Sequence, residues 1–131
     1  MDNLKQIRAI AARVRKWAEK NYAHSRYYTK DLCGLCAICS YRIFCELKKH
    51  GIESEFVLSD CIDHCFVLVV EFIVDVTATQ FAYAKKRPKV LIRHVKKVDD
   101  EEIWGIGKKT SDPSKIKDLL RHWPKEQQPA I

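Results

Sequence analysis

The chain has 131 residues, of which 47% are hydrophobic and 31% charged, a composition that excludes a disordered protein and predicts one globular domain over residues 1–131. No apolar run approaches the roughly 18 to 20 residues that cross a bilayer, and the amino terminus lacks the order of a signal peptide. We therefore expect a cytoplasmic protein with no membrane partner. The net charge of +7 favours an acidic partner or nucleic acid, although it also suits plain solubility.

The first predicted element is an amphipathic helix over residues 2–20, because apolar side chains recur there at helical spacing. The apolar positions are Leu4, Ile7, Ile10, Ala11, Val14, Trp17 and Ala18. The basic residues lie mostly off this stripe: Lys5, Arg8, Arg13, Arg15 and Lys16. We expect the stripe to pack on the core. With the loop that follows, this helix forms the amino-terminal segment, residues 1–30.

A second helix is predicted from Leu35 to Leu47, where the chain reads LCAICSYRIFCEL. Few of its positions are clearly polar, which indicates a central and buried helix. Cys36 lies in the first turn, where the helix dipole favours a thiolate over a thiol. The basic residues 48–50 and Gly51 provide a helix stop.

Two apolar runs after this helix predict a β-hairpin. His64 opens the run His64–Val70, and Asp75 interrupts the run Phe72–Val76. A two-residue link at 70–71 makes the two polar side chains diagonal neighbours on one face, and a four-residue link places them directly opposite each other. A three-residue link sends them to opposite faces, so the register decides whether they meet.

Residues 82–131 are predicted to hold a basic strand, a loop and a carboxy-terminal helix. For the strand near 90–95 we favour a basic sheet edge over a nucleic-acid surface, since no nucleic-acid-binding motif accompanies it. An acidic turn and loop are expected over 98–107. Asp112 and Pro113 mark the start of the last helix, as its N-cap and first residue, and Pro124 stops it.

The cysteines favour reduced thiols over a disulfide framework, because all six lie in apolar segments between Cys33 and Cys65. Zinc is the main alternative, since several lie at metal-ligand spacing. The candidate ligands are Cys33, Cys36, Cys39, Cys61, His64 and Cys65. Against zinc, the sequence from Cys36 to Cys45 continues as a buried helix. Zinc would also leave Asp75 without a partner, whereas His64 is a natural partner for a buried carboxylate.

The order of these features resembles the transglutaminase-like superfamily of papain-like cysteine enzymes. The shared residues are Gly34-Leu35-Cys36, Gly51-Ile52, His64 and Asp75-Val76-Thr77. The resemblance covers about residues 31–81 and implies that they form the catalytic core. It implies Cys36 as nucleophile, His64 as general base and acid, and Asp75 as the residue that orients the imidazole.

Members of this superfamily include peptidases, amidases, deamidases and amine-dependent cross-linking enzymes, and the leader peptidases of lasso-peptide biosynthesis look similar in this region. The chain departs from the pattern in two places. Cys65-Phe66 follows the histidine, where the family often has Ala-Trp. The hairpin link reads Val-Val-Glu-Phe, where the family often has glycine.

We therefore predict an α+β fold with a papain-like or transglutaminase-like core, in which the helix bearing Cys36 packs on a small antiparallel sheet that carries His64 and Asp75. The predicted activity is cysteine-dependent hydrolysis of an amide in a peptide or protein substrate, through a thioester. It needs no metal and no organic cofactor. The Cys36 N–H would hold the oxyanion, and Tyr28 is a candidate second donor. The alternatives are a zinc-binding basic module for nucleic acid and a catalytically inactive binding domain of the same fold.

Overall fold

The computed structural model describes residues 3–22, 32–81, 86–98 and 101–131. They form an α+β fold around a five-stranded antiparallel sheet in the order β4-β3-β2-β1-β5. The strands are β1 (Glu55–Ser59), β2 (Cys65–Val69), β3 (Phe72–Asp75), β4 (Leu91–His94) and β5 (Ile106–Thr110). The helices are α1 (Leu4–Tyr22), α2 (Cys36–Lys49), α3 (Glu101–Trp104) and α4 (Pro113–Leu119).

The predicted amphipathic helix is present as α1. Most of its apolar stripe is buried as expected, but Leu4 is exposed and Trp17 is only half-buried. Arg15 is also buried, which corrects its placement off the stripe. Its guanidinium donates to the Val76 carbonyl at 2.9 Å and to the Thr79 hydroxyl at 2.8 Å, and its Nε donates to Glu19 at 3.2 Å. These bonds offset the loss of water around the charge. They also tie α1 to the chain just after Asp75.

The start and stop predicted for the second helix are both confirmed in α2. The helix begins at Cys36 and ends at Lys49, and Gly51 follows with a φ of +71°, which glycine adopts without a steric penalty. Two residues before the helix are left-handed as well, Leu32 with φ +61° and Gly34 with φ +86°. This tight turn brings the chain into the helix at the predicted nucleophile.

The hairpin of β2 and β3 has the two-residue link. Val69 pairs with Phe72, so Val70 and Glu71 form the turn. This register makes Asp75 a diagonal neighbour of His64, the residue before β2. Val70 has a φ of +56° and is 78% exposed, a strained conformation for a β-branched residue.

Alternation along the strands divides the core between the two faces of the sheet. The helix-side core lies under α1, α2 and α4 and receives Phe56, Cys65, Val67, Val69 and Val74 from the strands. The opposite core contains Val57, Phe66, Leu68, Ile73, Leu91, Ile103 and Trp104. The helix that bears Cys36 therefore packs on one face of the antiparallel sheet, as predicted.

The loop predicted over 98–107 is wrong in part, because α3 lies within it and β5 begins there. β5 is an edge strand beside β1 with mostly exposed side chains, so its sequence lacks the apolar alternation that announces a strand. A Cβ on Gly107 would lie 2.7 Å from the Leu58 carbonyl oxygen, so only glycine fits this approach. The other edge, β4, is the basic strand that was predicted.

The last helix, α4, confirms Asp112 as its N-cap and Pro113 as its first residue. The predicted stop at Pro124 is wrong, because the helix ends at Leu119 with Leu120 as its C-cap.

None of the six cysteines is assigned to a disulfide. Cys33 and Cys61 are exposed, which corrects the expectation that every cysteine packs in the interior. None of the helices seen in the described ranges is long and apolar enough to span a bilayer.

Candidate active site

The three residues predicted to carry the chemistry come from three places in the fold. Cys36 is the first residue of α2, His64 directly precedes β2, and Asp75 is the last residue of β3. Their exposed fractions are 2%, 0% and 1%. The site is therefore closed to solvent, and a substrate carbonyl reaches the sulfur only if neighbouring groups move.

The Asp75 carboxylate accepts four hydrogen bonds, which uses its acceptor capacity. Oδ1 accepts from the backbone N–H of Thr77 at 2.8 Å and from its hydroxyl at 3.2 Å. Oδ2 accepts from Nε2 of His64 at 2.7 Å and from Nε1 of Trp104 at 2.9 Å. Burial raises the pKa of Asp75, but the charge and hydrogen bond of His64, with those from Thr77 and Trp104, outweigh it and lower the pKa.

His64 has one ring nitrogen engaged and one free. An ionised carboxylate can only accept, so Nε2 of His64 carries the proton in its bond to Asp75. Nδ1 is buried and makes no hydrogen bond within the part of the chain that the structure describes. The ring is held by edge-to-face contact with Phe81, at 4.8 Å between centroids. Nδ1 is therefore the nitrogen available to exchange a proton with Cys36.

The electrostatics favour a thiolate at Cys36. Burial by itself raises the pKa of this thiol, but the close polar groups of Cys65 and His64, together with the positive charge of His64, lower the pKa to about 5. The first turn of α2 carries no acidic residue, and Leu35 provides no side-chain cap, so the positive end of the helix dipole is left to the sulfur. Burial lowers the pKa of His64, but Asp75 and then Cys36 raise it to about 10.

The neighbouring thiols behave differently. Burial raises the pKa of Cys39, and the negative charges of Cys36 and Asp75 raise it further. Burial and the hydrogen bond to Cys36 raise the pKa of Cys65 well above its usual value. Only Cys36, therefore, combines a helix start with a partner imidazole, and Cys65 serves it as a hydrogen-bond donor.

Sequence reasoning missed Trp104 in this site. It is the last residue of α3, it is 3% exposed, and its indole N–H lies on the same carboxylate oxygen as His64. The guanidinium of Arg87 lies 5.2 Å from the centre of its ring. One signal was available, since a buried tryptophan usually requires a partner for its N–H. Which carboxylate it meets depends on the fold.

The predicted oxyanion donor Tyr28 lies outside the described residues.

No group of three histidine, cysteine or acidic side chains that could hold a metal ion occurs within residues 3–22, 32–81, 86–98 and 101–131. Of the candidate zinc ligands, His64 directs Nε2 to Asp75, and Cys33 and Cys61 are exposed while Cys36, Cys39 and Cys65 are buried.

The chain was also compared with known proteins. No family model, curated protein or solved structure matches it.

Proposed function

We propose that this protein is a cysteine-dependent amide hydrolase with a papain-like or transglutaminase-like core, in which Cys36 is the nucleophile, His64 the general base and acid, and Asp75 the residue that orients the imidazole. The substrate class is an amide of a peptide or protein. The carrying observation is the buried bond of 2.7 Å between Asp75 and Nε2 of His64, which leaves Nδ1 without a hydrogen-bond partner in the described chain.

The reaction begins with the ion pair of the Cys36 thiolate and the His64 imidazolium. The sulfur attacks the amide carbonyl carbon, a C–S bond forms, and the oxyanion is held by the Cys36 N–H and a second donor. The imidazolium gives its Nδ1 proton to the leaving amine as the C–N bond breaks. His64 then takes a proton from water, whose oxygen attacks the thioester. The C–S bond breaks, the carboxylic acid leaves, and the pair of thiolate and imidazolium is restored.

Asp75 supports both halves of this cycle without exchanging a proton. Its four hydrogen bonds keep it ionised and fix its position, so the imidazole is held in one tautomer with Nδ1 facing the chemistry. Thr77 and Trp104 hold the Asp75 carboxylate in place, and Asp75 in turn orients the imidazole. Thr77 and Trp104 are therefore positioning residues in this proposal.

Selective alkylation tests the proposal. Limited iodoacetamide at pH 6, followed by peptide mapping, is expected to label Cys36 ahead of the exposed Cys33 and Cys61, because the pKa of Cys36 is lowered to about 5 and the thiolate is the reactive form. The two exposed cysteines are internal controls for access. Labelling of Cys33 and Cys61 while Cys36 reacts only after denaturation would contradict the proposal.

The closed site favours one alternative, a binding domain of the same fold that does not catalyse. Cys36 is only 2% exposed, as a structural thiol would be. The two functions give opposite results in the alkylation experiment, because a structural thiol buried in this way reacts more slowly than Cys33 at every pH.

A further inference from the structure

A cavity of about 660 Å³ lies at the His64 end of the sheet. We call it the Leu58–Trp123 cavity. Its lining residues are Leu58, Asp63, Lys108, Leu119, His122, Trp123, Pro124 and Gln127. None of them has a role in the mechanism above.

Two lining residues of this cavity lie next to His64 and to β2, the strand that follows it. Leu58 is the register partner of Cys65, the residue after His64. Asp63 directly precedes His64, and its charge reaches the Cys65 thiol, whose pKa it helps to raise. The backbone N–H of Ser59 donates to the His64 carbonyl at 2.9 Å. Asp63 is therefore the chain neighbour of His64, and Leu58 is paired with the residue that follows His64.

The cavity also lies on the same face of the sheet as the thiol. Leu58, Leu119 and Trp123 pack against the helix-side core, to which Cys36 and Cys65 belong. A group seated there therefore lies on the face of the sheet that packs against the core containing Cys36.

The lining defines the chemistry of an occupant. The floor consists of three half-buried apolar side chains, of which Trp123 offers the largest rigid surface. The rim is polar and carries charges of both signs, Asp63 and Lys108, so it favours no single net charge. The volume of about 660 Å³ falls in the usual range of ligand sites, about 300–1,000 Å³.

We infer that the Leu58–Trp123 cavity is the substrate-binding site of the proposed hydrolase and seats a large apolar side chain, aromatic or branched aliphatic, next to the amide that is cleaved. The inference rests on the proposed function and adds the class of substrate.

Binding is measured first, without the nucleophile. In a Cys36→Ser background, N-acetyl-L-phenylalaninamide is expected to shift the backbone amide resonances of Leu58, Asp63 and Trp123. Its affinity should be about tenfold above that of N-acetyl-L-alaninamide, because the larger apolar side chain removes more surface from water. Trp123→Ala should remove this difference.

Trp17→Ala is the matched control. Trp17 is also half-buried against the helix-side core, but it lines a separate cavity of about 550 Å³ and is stacked on Arg42 at 3.9 Å. It should leave the preference unchanged. If Trp123→Ala fails to fold, Gln127→Trp, which fills the rim, should remove the preference instead. Equal binding of the two amides, or a preference kept in both variants, would overturn the inference.

Alkylation of the native chain separates the two proposals. N-acetyl-phenylalanyl chloromethyl ketone is expected to alkylate Cys36 about tenfold faster than the alanyl reagent, with the ratio falling to about one in Trp123→Ala and the iodoacetamide rate changing less than about twofold. A reactive Cys36 with no side-chain preference would overturn the cavity assignment alone. If the amide binds but Cys36 is unreactive, the proposed hydrolase function is overturned. The cavity then is not a substrate site either.

Discussion

Two histidine–carboxylate pairs on this sheet lie in different surroundings, one in the interior and one at the surface. His64 and Asp75 meet at 2.7 Å with exposed fractions of 0% and 1%. His94 and Glu71 meet at 3.0 Å with exposed fractions of 25% and 65%. The distances are similar, so the contrast between the pairs lies in burial and in the remaining hydrogen bonds.

The exposed pair is satisfied locally. Nδ1 of His94 accepts the backbone N–H of Lys96 at 3.1 Å while Nε2 faces Glu71, so both ring nitrogens have partners. His64 has one partnered and one free nitrogen, in an interior where charges interact more strongly than in water. A buried histidine with one nitrogen fixed can move a proton at the other, and this distinguishes the candidate site from an ordinary surface pair.

The largest expected effect breaks the buried pair. Asp75→Asn should lower hydrolytic turnover by about 10⁴-fold, the scale found when a triad aspartate becomes an amide, because the imidazole loses the partner that sets its tautomer. The measurement is kcat per folded molecule with peptide amides as substrates, and circular dichroism gives the folded fraction. Normal turnover per folded molecule, with a lower melting temperature, would make Asp75 a purely structural group.

The pH dependence of Cys36 alkylation gives the next effect, about 100-fold. The thiol has its pKa lowered to about 5 and the imidazole has its pKa raised to about 10, so thiolate and imidazolium coexist between these values. The iodoacetamide rate should therefore rise through about pH 5 and stay level at pH 6 to 8. At pH 6 a free thiol is only about 0.3% ionised, so His64→Ala should reduce the rate there about 100-fold or more.

The same pair predicts how stability changes with pH. A histidine whose folded pKa is raised stabilises the fold fully below its unfolded pKa, and this contribution is lost as the pH rises through about 10. Asp75, whose folded pKa is lowered, stabilises the fold above its unfolded pKa, and its contribution is lost on acidification. Urea unfolding across pH should show a decline at both ends, and Asp75→Asn should flatten both.

Trp104→Phe sharpens the comparison, because Trp104 donates to the carboxylate of the buried pair, whereas no indole of the described residues donates to Glu71 in the exposed pair. Loss of one hydrogen bond to the carboxylate should slow turnover about tenfold, since such bonds contribute about 1.5 to 3 kcal/mol. A positioning role is shown if the alkylation profile at Cys36 also moves to higher pH. A change in melting temperature with an unchanged pH profile would leave Trp104 with packing alone.

The smallest effect is expected at the exposed pair. Glu71→Gln should leave the free energy of unfolding within about 0.5 kcal/mol and the Cys36 alkylation profile unchanged, because exposed pairs contribute little. Chemical denaturation and the iodoacetamide assay measure both. A loss of alkylation comparable to that of Asp75→Asn would show that the two pairs are not distinguished by burial.

Local patterns in the sequence sufficed for the two long helices, the hairpin and the cap of α4. Helix α2 begins at Cys36 because a turn ends there and an apolar run starts, and Gly51 supplies the left-handed stop. These features depend on neighbours in the chain, so they can be read without the fold. The order of thiol, imidazole and carboxylate was readable for the same reason.

Only the tertiary structure decided the register of the hairpin and the partners of Asp75. No glycine-containing turn signal announces the link, and Val70 takes a positive φ because pairing across the strands outweighs its own preference. Trp104 stands 29 residues from Asp75, and Arg15 stands 61 from Val76. Hydrogen bonds over such separations form only once the sheet and α1 have packed. For this reason no local pattern in the sequence encodes which buried donor meets which acceptor.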